Sequence, residues 1–156
     1  FFDPGPGNPK IDNAWHSEAA ALATVLLATE DEARRLSGEA DPVNSARVLL
    51  GRGTQLAVIK RGMAGAFLLT ADDLHIAPGL PVVARDATGA GDSLAAAIIY
   101  GTLHKFDLQT LGDIGNATGA AKVLKLGTGH NMPTVAEVNE MLRRFGSEVV
   151  LSGEPA

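Results

Sequence analysis

The sequence predicts an α/β fold in which helices pack on a sheet. Two observations carry this. Short apolar runs alternate with helical patterns along the chain. With five Phe, one Tyr and one Trp among 156 residues, the core is built from Ala, Val, Leu and Ile, a composition that suits helices on a sheet. The length fits one domain of ordinary size.

In chain order, Phe1 to Asp3 ends a buried strand that runs into the loop DPGPGNP. Residues 17–24 are Ala-rich and helical, and residues 25–28 form a short buried strand. A helix opens at Thr29, with Glu32 three residues on, and stops near Gly38; a second opens at Asp41 with Pro42 at its first position. Residues 55–60 read as a central strand, and residues 66–70, 74–77 and 81–84 as a meander of short strands between Gly, Asp and Pro turns. After DATGAGD, the run SLAAAIIYGTLHK is helical. Residues 108–124 form another helix, with Gly112, Gly115 and Gly119 near one face where a second backbone can approach. The last helix opens at Thr134 with Glu137 as its capping partner and carries Val135, Val138, Met141, Leu142 and Phe145 on one stripe. Residues 1–146 thus make the folded part, and 147–156 read as a loose tail.

Composition narrows the function. A formal charge of −5 spread along the chain provides no basic stripe for nucleic acid. The absence of cysteine removes disulfides, thiolate metal sites and a Cys nucleophile together. No apolar run reaches the ~20 residues of a membrane helix, so the chain reads as soluble. His16, His75, His104 and His130 stand at no metal-ligand spacing, and no metal ligands are assigned among them.

The chemistry concentrates in Asp86-Ala87-Thr88-Gly89-Ala90-Gly91-Asp92. Three small residues free backbone N–H groups to face an anion at the mouth of the following helix, where the helix dipole adds positive charge. A carboxylate at that mouth can accept the proton of an attacking hydroxyl, which is the arrangement that phosphoryl transfer needs. The plainer alternative is a tight strand-to-helix turn with Asp92 as a cap.

The full run DATGAGDS before an Ala-rich helix resembles the second signature of the PfkB (ribokinase-like) family of carbohydrate kinases. Other stretches agree with that family in order. FFDPGPG resembles the strand end leading out of its central sheet, and LLATEDEARRLSG its N-x-x-E segment. VIKRGMAGAFLL is similar to its nucleotide-binding strand and turn, and GNATGAAKVLKLGTGHNMPT to its adenine-side helix and following loop. The resemblance implies the C-terminal portion of a three-layer α/β/α sandwich with a mostly parallel sheet, one that holds ATP and Mg2+ and phosphorylates a sugar hydroxyl. Asp92 would be the general base, and the amides of Gly89, Ala90 and Gly91 the anion hole. Lys60, Gly62, Gly65 and Asn116 would bind nucleotide, Glu32 would help place magnesium, and Asp86, Thr88, Gly127 and Asn131 would hold a monovalent cation such as K+. FFDPGP, TEDEA and GTGHNMPT resemble plant fructokinase-like members most, which implies a cytoplasmic or plastid enzyme.

The pattern also departs from the family. Thr29 replaces the usual Asn of N-x-x-E, and Thr-x-x-Glu is equally a capping box. Gly7 and Asn8 stand where relatives continue to Arg, and Lys60 where many have a small hydroxyl residue. The family's sugar-binding half, lid and first glycine-rich signature have no counterpart. A sheet without its leading strands exposes an apolar edge, so a fragment, a homodimer or a chain completed by a partner is expected. A catalytically inactive PfkB-like binding or regulatory protein is the competing expectation. A dinucleotide-dependent oxidoreductase is poorly supported, because GAGD is not G-x-G-x-x-G.

Overall fold

The computed structural model describes residues 1–5 and 13–153. They form two compact units, Phe1–Gly62 with Ala66–Ile76, and Met63–Gly65 with Ala77–Ala156. Gly7 and Asn8 lie outside the described residues.

The first unit is organised by strands β1 (Val25–Thr29) and β2 (Leu56–Lys60), which lead a four-stranded sheet in the order β1-β2-β3-β4, with β3 at Gly65–Leu69 and β4 at Leu74–Pro78. β1 and β2 pair in parallel from Val25 opposite Leu56 to Thr29 opposite Lys60, while β2 and β3 pair antiparallel. The sheet is therefore mixed: the family resemblance implies a mostly parallel sheet, and the antiparallel part is the stretch whose sequence reads as a meander. A three-residue turn at Gly62–Ala64 is too short for a crossover helix, and so returns the chain beside β2. Phe2 adds a parallel bridge to Leu26, as its strand-end reading required.

β1 and β2 are apolar on both faces because both faces are covered; four of the five residues in each are buried. Helices α1 (Asn13–Leu22), α2 (Glu30–Ser37) and α3 (Pro42–Leu50) accompany them. Ala20, Ala33, Leu36, Ala46 and Leu49 from these helices form one core with Leu26, Ala28, Ala57, Ile59, Phe67 and Leu69. Both helix starts follow the sequence signals. Thr29 and Glu32 close a reciprocal capping box, the Asp41 carboxylate accepts from Asn44 N–H ahead of Pro42, and Gly38 ends α2 in the left-handed conformation.

The second unit is mainly helical, with α4 (Ala90–Leu103), α5 (Leu108–Val123) and α6 (Val135–Arg144). Gly101 on α4 sits where a Cβ would lie 2.5 Å from Leu111 Cδ2 and 2.7 Å from Ile114 Cδ1. Gly115 on α5 is met by the side chains of Leu94 and Ile98, where the sequence suggested room for a second backbone. α6 buries Val138, Met141 and Leu142, whereas Val135 is exposed.

Two local expectations fail for physical reasons. Residues 81–84 are not a strand: Pro81 has no N–H to donate to a ladder, and Val83 is 86% exposed. The described part of the tail is tied rather than loose. Leu151 N–H donates to Asn139 Oδ1 at 2.8 Å, Ser147 Oγ bonds Asp113 Oδ2 at 2.9 Å, and Tyr100 OH donates to Ser152 O at 3.1 Å. No described helix is long and apolar enough to cross a membrane.

Candidate active site

The DATGAGD run is a braced turn. Arg85 and Asp86 N–H groups both donate to Val123 O at the end of α5, at 2.7 and 3.2 Å. The Asp86 carboxylate then ties two loops together, accepting Thr88 N–H at 2.9 Å and Gly127 N–H at 2.7 Å. The Thr88 hydroxyl, the Thr88 and Gly127 N–H groups and the Lys122 charge lower its pKa from 3.8 to about 2, so it is ionised throughout the physiological range.

Gly89 is the N-cap of α4 at φ +80°, a conformation that glycine adopts freely. A Cβ there would lie 3.0 Å from Thr128 Cγ2 and 3.5 Å from Lys122 Cε. α4 begins on the glycine turn itself, earlier than SLAAA, so that Asp92 falls in its first turn. The N-cap position itself is Gly89, and Asp92 lies three residues on, in the first turn of α4. Ala90 N–H is spent on Ala87 O at 3.1 Å and Ser93 N–H on Gly89 O at 2.9 Å. Among the described residues the N–H groups of Gly89, Gly91 and Asp92 have no such partner, leaving the donors of a helix N-terminus available. The Asp92 carboxylate is exposed, with no hydrogen-bond or ion-pair partner among the described residues.

Behind this turn lies a residue that motif matching passes over. Lys122 on α5 is completely buried, and its Nζ donates to Lys125 O at 3.3 Å. Sequence carries a signal for it, since Gly115, Gly119 and Lys122 share one helical face at i, i+4 and i+7. That line meets Leu94 and Ile98, then Ala90 O, then Gly89.

The residues expected to hold nucleotide are largely engaged by the protein. Lys60 pairs with Asp3 in a bridge where the lysine side chain is 11% exposed. Glu32 is 7% exposed, and its Oε2 accepts Thr29 N–H at 2.7 Å in the capping box. Asn116 Nδ2 donates to Ala77 O at 3.1 Å and Pro78 O at 2.8 Å, bracing α5 against the end of β4. Gly62 is open, at φ +58° with nothing within 4 Å of its Cβ position. Gly65 is closed: a Cβ there would lie 2.1 Å from Ala77 O. Of the four residues expected around a monovalent cation, Asp86 joins Thr88 and Gly127 directly, while Asn131 Nδ2 donates to Leu126 O at 2.8 Å. The first unit also carries an open cavity of about 820 Å³ beside Arg47, Thr54, Gln55 and Asp72, and none of the expected site residues lines it.

Known proteins resemble this chain in sequence and in fold. The 5-dehydro-2-deoxygluconokinase of Clostridium botulinum (strain Eklund 17B / Type B) is 37% identical over 101 residues, which is 64% of this chain and 30% of that protein. An E. coli putative Ribokinase II in its apo form superposes with a TM-score of 0.83 at 27% identity, covering 92% of this chain and 48% of its own. A putative Ribokinase II from E. coli in complex with ATP and Mg2+ does so with a TM-score of 0.79 at 25% identity, over 92% and 48% of the two chains. The chain thus spans less than half the length of these relatives, and its α/β fold is ribokinase-like with a mixed sheet. The model of the pfkB family carbohydrate kinases matches residues 3–135, the DATGAGD turn and its bracing helix included, and on that match the chain belongs to this family.

Proposed function

We propose that this chain carries the phosphoryl-transfer centre of an ATP-dependent carbohydrate kinase, with Asp92 as the general base. The observation that supports it most is an exposed, unpartnered carboxylate in the first turn of α4, above a left-handed glycine turn whose Gly89 and Gly91 N–H groups have no described acceptor. Charge developing on a transferred phosphoryl group is stabilised by such donors and by the α4 dipole. In the reaction, Asp92 takes the proton of the acceptor hydroxyl. The hydroxyl oxygen forms its bond to the γ-phosphorus as the bond to the ADP oxygen breaks, and ADP leaves with that electron pair. Magnesium, when bound, neutralises phosphate charge. Positioning and electrostatics supply most of the rate.

Gly62, with open space at its Cβ position, is the nucleotide-side residue best suited to a close approach of phosphate or ribose. Ala90 contributes to the turn through its shape, since its N–H is already bonded. The acceptor is a sugar-class hydroxyl. Fructose follows from the sequence flavour, and a ketodeoxy sugar acid from the 5-dehydro-2-deoxygluconokinase relatives.

A second reading, a PfkB-like binding or regulatory protein without catalysis, is favoured by the engagement of Glu32 and Asn116 in backbone hydrogen bonds. Calorimetry separates the two. A ligand that binds only the native state at about 100 times its dissociation constant stabilises it by about 2.7 kcal/mol. The kinase reading expects binding heat and a raised melting temperature with millimolar MgATP; neither effect in the intact natural protein would favour the binding-protein reading.

A further inference from the structure

We propose that Lys125 is a positioning residue of the transfer centre: it closes the loop of residues 125–132, fastens that loop to α6, and so fixes the support of the DATGAGD turn. Its effect on turnover rests on the kinase reading, and its effect on the loop does not.

Three contacts join the loop to the turn. Gly127 N–H donates to Asp86 Oδ2 at 2.7 Å. Thr128 Cγ2 and Met132 Sδ lie 3.0 and 3.7 Å from the position of a Cβ at Gly89, the N-cap of α4. The N–H groups of Gly91 and Asp92 and the Asp92 carboxylate follow directly on that glycine, so their placement depends on what holds it.

The loop needs an outside anchor. Gly127 and Gly129 both have left-handed backbone, at φ +67° and +64°, with nothing within 4 Å of a Cβ on either; glycine has the most conformational freedom to lose. Inside the loop, Asn131 Nδ2 donates to Leu126 O at 2.8 Å, and a short 3-10 turn spans Gly129–Asn131. Lys125 joins the two ends. Its Nζ donates to Met132 O at 3.2 Å and to Glu137 Oε1 and Oε2 at 2.9 Å each. An ammonium has three protons, and here one closes the loop on itself while two hold it to the first turn of α6. Glu137 is fixed in turn, because its Oε2 also accepts Thr134 N–H at 2.7 Å. A continuous line of contacts thus runs from α6 through Glu137, Lys125 and Met132 to Gly89.

The plainer role for Lys125 is a surface ion pair that steadies α6. Such pairs contribute little to stability, and the capping box of Thr134 with Glu137 serves the start of α6 without the lysine. The bond to Met132 O serves the loop alone.

The test compares wild type, Lys125→Met, Lys125→Arg and Thr134→Ala in the intact natural protein, by amide exchange over residues 125–132 and by steady-state transfer from MgATP to the sugar acceptor. Lys125→Met keeps the length of the stem and loses all three bonds. It should speed exchange in the loop and lower kcat by about 10- to 100-fold, the loss that a small misplacement of reacting groups produces, with KM much less affected. Lys125→Arg keeps the charge and the reach to Glu137, and should recover most of the turnover. Thr134→Ala is the control for a merely structural role: it weakens the α6 cap and leaves Lys125 with its acceptors. It should lower the melting temperature while kcat and loop exchange stay at the wild-type values.

Wild-type kcat in Lys125→Met would overturn the proposal, and so would unchanged exchange in residues 125–132. A Thr134→Ala protein that loses turnover as Lys125→Met does would also overturn it, because the effect would then come from α6 alone. If the wild-type protein transfers no phosphoryl group, the kinase reading fails, and loop exchange in Lys125→Met against Thr134→Ala still decides whether Lys125 holds the loop.

Discussion

Replacing three glycines by alanine, one at a time, separates conformational strain from steric closure. Gly62, Gly89 and Gly65 all have positive φ, at +58°, +80° and +90°, so each alanine meets the left-handed penalty. That penalty is about 1–2 kcal/mol. Their surroundings differ. Nothing lies within 4 Å of a Cβ at Gly62, so Gly62→Ala carries the conformational term alone. At Gly89 the nearest atom is Thr128 Cγ2 at 3.0 Å, a methyl that can yield by a few tenths of an ångström, so Gly89→Ala should cost about 2 kcal/mol. At Gly65 the Cβ would lie 2.1 Å from Ala77 O, 2.5 Å from Gly79 N and 2.7 Å from Pro78 C. These are backbone atoms, and they cannot move unless the crossing of Met63–Gly65 with Ala77–Gly79 opens. Gly65→Ala should therefore cost at least about 4 kcal/mol, which is unusual for one substitution and a large part of a typical domain's stability. Urea denaturation followed by far-UV circular dichroism measures the series. A Gly65→Ala protein within about 1 kcal/mol of Gly62→Ala would refute the reasoning.

Asn116→Ala removes the two bonds to Ala77 O and Pro78 O, and should cost about 1–2 kcal/mol in chemical denaturation; unchanged stability with lost nucleotide binding would instead restore Asn116 as a base contact. Glu137 is held below its ordinary pKa of 4.5, first by Thr134 N–H and then by Lys125. Because the folded-state value is the lower one, its stabilisation is complete above 4.5 and disappears as pH falls through the depressed value. Glu137→Gln should thus be less stable than wild type at neutral pH, with the gap closing in acid titrations. A gap that is constant with pH would contradict this. Ser147→Ala, which loses the bond to Asp113 Oδ2, should speed amide exchange across residues 147–151 while α4 stays protected.

Features written in neighbouring residues were legible in the sequence. Thr29 with Glu32, Asp41 with Pro42, and Thr134 with Glu137 each place a cap and its partner within three residues, and all three helices begin there. β1 and β2 were readable because strands covered on both faces are apolar throughout. The DATGAGD turn was readable because few side chains permit its backbone. Features closed by distant partners were not legible. Asp3 meets Lys60 across 57 positions, and Asn116 reaches Pro78 across 38. A lysine on the loop side and an asparagine on a helix look equally suited to a ligand until those partners are seen. Lys122 was hidden for a related reason: a single lysine in a helix is usually solvated, and only the path of Gly115 and Gly119 toward Gly89 shows that this one faces inward.

The central claim, that Asp92 activates the acceptor hydroxyl, is tested most directly by Asp92→Asn in the intact natural protein. The substitution keeps size and shape, and Asp92 has no described partner to lose. Stability and the MgATP-induced melting shift should be unchanged. Transfer of the γ-phosphoryl group from ATP to the sugar acceptor should fall by about 10²–10⁴, the range that general-base catalysis contributes. Turnover equal to wild type would contradict the account.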